Sequence, residues 1–204
     1  HDQIGGGFHR YATDPDWLVP HFEKMLYDNA LLALAYLEGW QATERADFAR
    51  VTREILDYAM REMTSPQGGF YSATDADSLN AEGESEEGWF FTWTPQEVEA
   101  TLGAEKAPYV NAYYGVTSAG HLEGRSSLHR ERDPDALARE QGIDRDRLSE
   151  IVREARELLY PARARREAPL RDEKILAGWN GLMISAFAQA GFALDEPDYT
   201  DAAG

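Results

Sequence analysis

The chain contains no cysteine. Disulfides, zinc–thiolate centres and thiol catalysis are therefore excluded within it. Basic residues are scarce against acids, 20 to 37, and the net charge is -17. Such a surface repels a phosphate backbone and an anionic bilayer, so neither nucleic acid nor membrane is an expected partner. No GxSxG, GxxxxGK[ST], HExxH or GxGxxG pattern occurs, which removes the common hydrolase, nucleotide and zinc-protease signatures. No metal or cofactor is expected. Nor does a charged-apolar-small leader open the sequence, and the expected compartment is the cytoplasm. One long uncharged run exists, 175–194, close to the roughly 20 residues that span a bilayer. Asn180, Ser185, Gln189 and three glycines interrupt it, so it reads as a buried helix with a polar end.

What is present is mainly helical periodicity. Pro20 suits the first turn of a helix running to about Thr43, and its 30–37 stretch, ALLALAYL, is apolar enough to be buried on every side. Between Ala46 and Met63 the residues Phe48, Val51, Ile55, Ala59 and Met63 share one stripe, the pattern of a half-buried helix. The pair recurs: an amphipathic stretch from Asp144 to about Arg166 precedes an all-apolar one from Trp179 to Leu194. Alternating inner and outer helices suit a toroid of helical hairpins, and a plain bundle shares the pattern. Arg163–Arg166 reads as a solvated helix end. Between the helical pairs a small β-hairpin is expected near residues 69–93, from a strand Phe70–Ala73 and a second in the aromatic run Gly88–Trp93, with a polar mobile loop between. Thr94-Pro95-Gln96-Glu97 is a helix start with a capping box, and Asp133-Pro134 marks another.

Three polar clusters carry candidate chemistry. The first is GGGFHRY with VPHFEKMLYDN. Its glycines permit a tight turn or close approach. On the expected helix, His21, Lys24 and Asp28 fall on one face with Glu23 beside it. These groups suit a ligand cavity, and they equally suit a polar network that ties helices together. The second is Thr74-Asp75-Ala76-Asp77-Ser78, where two close carboxylates could share acid–base work. A calcium loop counted from Asp75 fails, because its sixth position is Asn80 rather than glycine. The third is Trp179-Asn180 at the start of an apolar helix, a stacking face beside hydrogen-bonding groups.

Together, HDQIGGGFHRYATDPDWLVPHFEKMLYDNALL, GGFYSATDADS, GWFFTWTPQEV and DEKILAGWNGLMISAFAQAG resemble the YyaL-like, or spermatogenesis-associated protein 20, family. The resemblance implies a mainly α fold: one domain over residues 1–204, forming part of an (α/α)6 toroid like that of six-hairpin glycosidases and N-acylglucosamine 2-epimerases. It further implies a fragment, without the family's N-terminal thioredoxin-like domain and later hairpins. That domain would be a partner in the full-length protein, and a sugar-like small molecule the ligand. The candidate catalytic residues are His21, Glu23, Asp75 and Asp77; the candidate ligand-binding residues are His9, Arg10, Tyr11, Lys24, Asp28, Trp179 and Asn180. An isomerase would use His9 and His21 to move a proton beside a carbonyl. A glycoside hydrolase would use Asp75 or Asp77 with Glu23, two carboxyls about 5 to 9 Å apart. A binding module without catalysis would need the pocket alone.

Overall fold

Helix starts in this chain are made in two ways, by side-chain caps and by long-range contacts, and the difference organises the fold. The computed structural model describes all 204 residues, His1–Gly204. In chain order the elements are β1 (Tyr11–Ala12), β2 (Pro20–His21), β3 (Lys24–Met25), α1 (Leu26–Thr43), α2 (Ala46–Tyr58), a π-helical turn (Ala59–Met63), β4 (Ala73–Thr74), β5 (Asp77–Leu79), β6 (Ser85–Glu87), α3 (Pro95–Leu102), α4 (Ala107–Tyr114), α5 (Pro134–Glu140), α6 (Arg145–Arg163), β7 (Arg171–Asp172), α7 (Ala177–Leu194) and α8 (Pro197–Ala202). About half of the residues are helical, and the sheets are small. No helix is long and apolar enough to cross a membrane. The chain divides into two compact units: His1–Arg10, Glu23–Ala76 and Leu170–Gly204 form one, Tyr11–Phe22 and Asp77–Pro169 the other.

In the first unit α1 packs against α2 and α7, and α7 packs against α8. A three-stranded antiparallel sheet, in the order β3-β4-β7, lies at the starts of α1 and α7. Neither of these two helices has a side-chain cap at its first turn; Met25 and Leu176 occupy the cap positions in extended conformation. An asparagine one turn in does the work instead. Asn29 accepts the Phe8 N–H at 2.7 Å and donates to the carbonyls of Phe8 and Met25. Asn180 accepts the Phe70 N–H at 2.7 Å and donates to the carbonyls of Phe70 and Leu176. Each amide thus satisfies both backbone groups of a distant extended residue and one carbonyl of its own helix start.

The correspondence runs further. Phe8 stacks on Tyr36, which meets Phe48 edge-on. Phe70 stacks on Phe187, which meets Tyr199 edge-on. Both long helices end in a left-handed non-glycine residue, Glu44 and Asp195. At one constant shift along the chain, Met25, Asn29, Tyr36, Glu44 and Phe48 map onto Leu176, Asn180, Phe187, Asp195 and Tyr199. Each clamped phenylalanine follows two glycines at positive φ, Gly6-Gly7 and Gly68-Gly69. A Cβ on Gly69 would stand 3.1 Å from the Asn180 Oδ1. The first unit is therefore two copies of one helical-hairpin module.

The second unit is built on local capping. Thr94 and Glu97 form the expected capping box on α3, and Asp133 and Asp144 cap α5 and α6. Beneath the aromatic run Trp89–Trp93 lie three arginines, with Arg125 over Trp89 at 3.9 Å, Arg163 over Phe90 at 5.0 Å and Arg166 over Trp93 at 4.2 Å. Arg166 Nη1 also donates to the carbonyls of Trp89, Phe90 and Thr92.

Several expectations change here. Residues Pro20 and His21 are a strand, paired with Tyr11–Ala12, and the helix begins only at Leu26. The shared helical face of His21, Lys24 and Asp28 does not exist, since only Asp28 is helical. Neither apolar helix is covered all round: Leu31 is 50% exposed and Phe192 91% exposed. The hairpin is formed by residues 77–79 against 85–87, polar but for Leu79, not by the aromatic run, because Asn80 caps the turn through the N–H groups of Glu82 and Glu84. Arg163 is buried and Arg166 nearly so, held by aromatic faces and carbonyls rather than by water. Burial lowers the Arg166 guanidinium pKa to about 10.

Replacing Asn180 with alanine leaves the Phe70 N–H and C=O buried and unpaired. Chemical denaturation of Asn180→Ala is expected to show a loss of about 2–4 kcal/mol, with a comparable loss for Asn29→Ala. A loss under about 0.5 kcal/mol in both would mean that the clamp does not hold the unit together.

Candidate functional site

The glycine triplet is explained by packing. Gly6 and Gly7 adopt φ of +75° and +73°, and a Cβ on either would collide with α2, at the Glu54 carbonyl and the Tyr58 ring. Lys24 is only 2% exposed. Its Nζ donates to Asp2 Oδ2 at 2.8 Å and to the Gly6 carbonyl at 2.7 Å, and sits 4.3 Å from the Tyr58 ring centroid. Asp2 Oδ1 accepts the N–H groups of Ile4 and Gly5. This buried ion pair holds the glycine turn on α2, so the Lys24 ammonium serves the fold. Burial pushes the Tyr58 phenol well above its ordinary range. Asn180 is likewise taken up, in the clamp on Phe70.

Four other nominated residues of the first unit, Arg10, Glu23, Asp28 and Trp179, gather at the start of α1. Arg10 Nη1 donates to Glu23 Oε2 at 3.0 Å, with both side chains partly open to solvent. Asp28 stands in the first turn of α1. The ring of Tyr27 meets that of Trp179 edge-on at 4.8 Å. Burial raises the Asp28 pKa, against the opposing pull of the Arg10 charge and a Tyr27 hydrogen bond. Its Oδ2 is buried and has no hydrogen-bond partner. Hydrogen bonds to Glu23 and Tyr27 raise the Arg10 guanidinium pKa. The cluster offers an aromatic shelf, a cation–carboxylate pair and one carboxyl oxygen in want of a partner. His9 is half-buried next to the clamped Phe8. Asp75 is exposed; its Oδ1 accepts the Ala76 N–H and its own N–H reaches the Leu170 carbonyl. The β3–β4 register pairs Lys24 with Thr74, so Glu23 and Asp75 leave the ladder at the same end.

In the second unit, Tyr11 and His21 face each other across the β1–β2 ladder, with ring centroids 5.0 Å apart. His21 Nδ1 lies 2.6 Å from Glu87 Oε1. Asp77 pairs with Glu87 in the β5–β6 ladder and accepts from Ser85 Oγ at 3.5 Å. Glu87, the partner of His21, was not among the candidates read from the sequence. Sequence reasoning also passed over Tyr27 as the partner of Trp179. The repeated Gly-Gly-Phe would have disclosed the twin modules, because Phe8 and Phe70 are each clamped by an asparagine on a buried helix. A groove of about 470 Å³ between α3 and α6 is lined by Trp93, Glu97, Leu158, Arg165 and Arg166 among others; Glu97 and Arg166 bond each other across it.

These features define a mainly helical protein in which tandem helical hairpins carry a polar, aromatic cluster at a helix start. No family model matches the chain. Spermatogenesis-associated protein 20 of Homo sapiens is 38% identical over 215 residues, covering 96% of this chain and 27% of that protein. Its Mus musculus counterpart is 36% identical over 213 residues, covering 95% and 27%. The chain belongs to the spermatogenesis-associated protein 20 family. It spans about a quarter of the length of the curated relatives it matches. Among solved structures, a crystal structure of D-mannose isomerase overlaps 97% of this chain and 43% of its own, with 13% identity and a TM-score of 0.34.

The Asp28 environment gives a pH signature. The carboxyl's folded pKa is raised, so the fold favours its protonated form. Its contribution to stability is fully present below the unfolded value near 3.8 and is lost as pH rises through the folded pKa. Asp28→Asn should therefore melt higher than the parent at neutral pH, with the gap narrowing as pH falls toward 3.8. A gap of the same size at both ends, read by thermal melts across pH, would show that Asp28 does not titrate as described.

Proposed function

We propose that the first unit binds a polyhydroxylated, sugar-like molecule at the start of α1, and that Asp28 is its proton-transferring or hydroxyl-binding group. The supporting observation is the buried Asp28 Oδ2 without a partner, close to an edge-on Tyr27–Trp179 pair. An apolar ring face and an unsatisfied acceptor are the two things a sugar's faces and hydroxyls require. A carboxyl whose pKa is raised by burial can hold a proton nearer neutral pH than a solvated one. Arg10 and Glu23, already bonded to each other, would orient hydroxyls around it. We read the two hairpin modules as part of the (α/α)6 toroid, because each places one long apolar helix beside a second, partly wet one. An isomerase or glycoside hydrolase acting on carbohydrate is the reaction class that fits this arrangement.

A second reading has an observation of its own. His21 is paired with Glu87 and Glu23 with Arg10, while Asp75 and Asp77 are exposed. Groups so engaged suit binding better than proton transfer. On that reading the unit is a ligand- or protein-binding module serving a fused thioredoxin-like domain.

Calorimetric titration of a full-length family member against a monosaccharide panel should give one ligand whose affinity falls at least tenfold in Trp179→Ala. With Asp28→Asn, turnover should fall at least a hundredfold if the protein is an enzyme, while binding alone should weaken if it is a module. Binding and turnover indifferent to both substitutions would exclude this site.

A further inference from the structure

We infer that the groove between α3 and α6 is an anion site, taking a small molecule that carries a carboxylate or a phosphate on an apolar ring. The groove lies wholly within the second unit, and the inference does not depend on the sugar-binding reading of α1. Its volume of about 470 Å³ is that of a small-molecule pocket. Trp93, Leu158 and Pro161 give it apolar walls, and Glu97, Arg165 and Arg166 give it charge.

Part of that charge has a structural use. Arg125 Nη2 donates to both Glu97 oxygens, at 3.0 and 2.8 Å, and Arg166 Nη2 lies 3.3 Å from Glu97 Oε1. The Thr94 N–H and hydroxyl also donate to Glu97 Oε2. Glu97 is therefore a saturated acceptor, its one negative charge shared by two guanidiniums. Arg166 Nη1 is committed to the carbonyls of Trp89, Phe90 and Thr92. Two donors of the groove are left over. The Arg165 guanidinium is exposed and forms no hydrogen bond or ion pair, in a chain where acids outnumber bases 37 to 20. Trp93 is 2% exposed, and its buried Nε1 has no hydrogen-bond partner. A buried donor left unpaired carries its desolvation cost uncompensated.

The ligand follows from what is missing. Arg125, Arg165 and Arg166 are set against a single carboxylate, which leaves a surplus of positive charge inside an otherwise acidic protein. Burial lowers the Arg166 pKa to about 10; Glu97 opposes this, and the charges of Arg125 and Arg163 add to it. An oxyanion in the groove supplies the absent negative charge. The planar Arg165 guanidinium offers paired donors that match two oxygens of a carboxylate or phosphate, and the Trp93 N–H takes another acceptor. The apolar walls take the ring. A polyanion such as a nucleic acid is not the ligand, because the surface beyond the groove, in a chain of net charge -17, repels it.

Calorimetric titration of the 204-residue chain with phenyl phosphate and with phenylacetate, at matched ionic strength, tests both head groups. One of them should bind saturably, about tenfold more tightly than inorganic phosphate or acetate, which lack the ring. The tighter of the two identifies the head. Arg165→Gln, a change at an exposed side chain, should weaken that ligand about tenfold. Arg153→Gln, earlier on α6 and paired with Glu157, should leave it unchanged. Trp93→Phe keeps a ring beside Arg166 but removes the N–H, and should weaken binding as well. Absence of saturable binding by either anion would overturn the proposal, as would parent affinity in Arg165→Gln. Equal losses in Arg165→Gln and Arg153→Gln would also overturn it, in favour of diffuse surface charge. So would benzyl alcohol binding as tightly as the anions, which would make the groove an apolar slot.

Discussion

The asparagine clamp is the interaction on which the first unit depends. A helix start must find partners for its terminal backbone groups. Neither α1 nor α7 does so with a serine, threonine or aspartate cap. Asn29 and Asn180 instead bond both polar groups of a residue far away in sequence and one carbonyl of their own first turn. The amide side chain is suited to this because it is both donor and acceptor. Aspartate would lose the two donated bonds, and serine is too short to span them.

The clamp explains the glycines and the aromatics around it. Gly69, at positive φ, lets the chain come close to the Asn180 amide, and Gly6 and Gly7 let the turn before Phe8 lie against α2. The clamped ring then stacks on an aromatic of the long helix, which in turn meets an aromatic of the outer one. In the first module only residues 11–22 separate the clamped turn from its helix; in the second, residues 77–169 do so. Both intervening stretches belong to the second unit, so the twin modules tolerate insertions of very different length at one point.

Charge is distributed by the same economy. Lys24 and Asp2 are buried and bonded to each other and to backbone. Arg125, Arg163 and Arg166 lie on aromatic faces. Among the few buried side-chain atoms left without a hydrogen-bond partner, Asp28 Oδ2 is the one carboxylate oxygen. Asp28 stands next in the chain to Tyr27, whose ring meets Trp179.

The sequence by itself determined the elements whose causes are local. The apolar stripe of α2, the Thr94–Glu97 box and the Asp133 and Asp144 caps act within a few residues, and all were legible. Family membership was legible too, because it rests on motifs read in order. Tertiary structure alone decided where α1 starts: Pro20 could open a helix, but pairing with Tyr11–Ala12 holds Pro20–His21 extended. It also decided that Lys24 belongs to packing, that Arg163 and Arg166 leave water, and that Glu87 receives His21. Each of these is a contact between residues far apart in the chain. A side chain's intrinsic preference is a fraction of a kcal/mol, whereas a buried charge or backbone group left unpaired costs several. Whether that cost is met depends on which distant residue arrives, and only the folded chain supplies that partner.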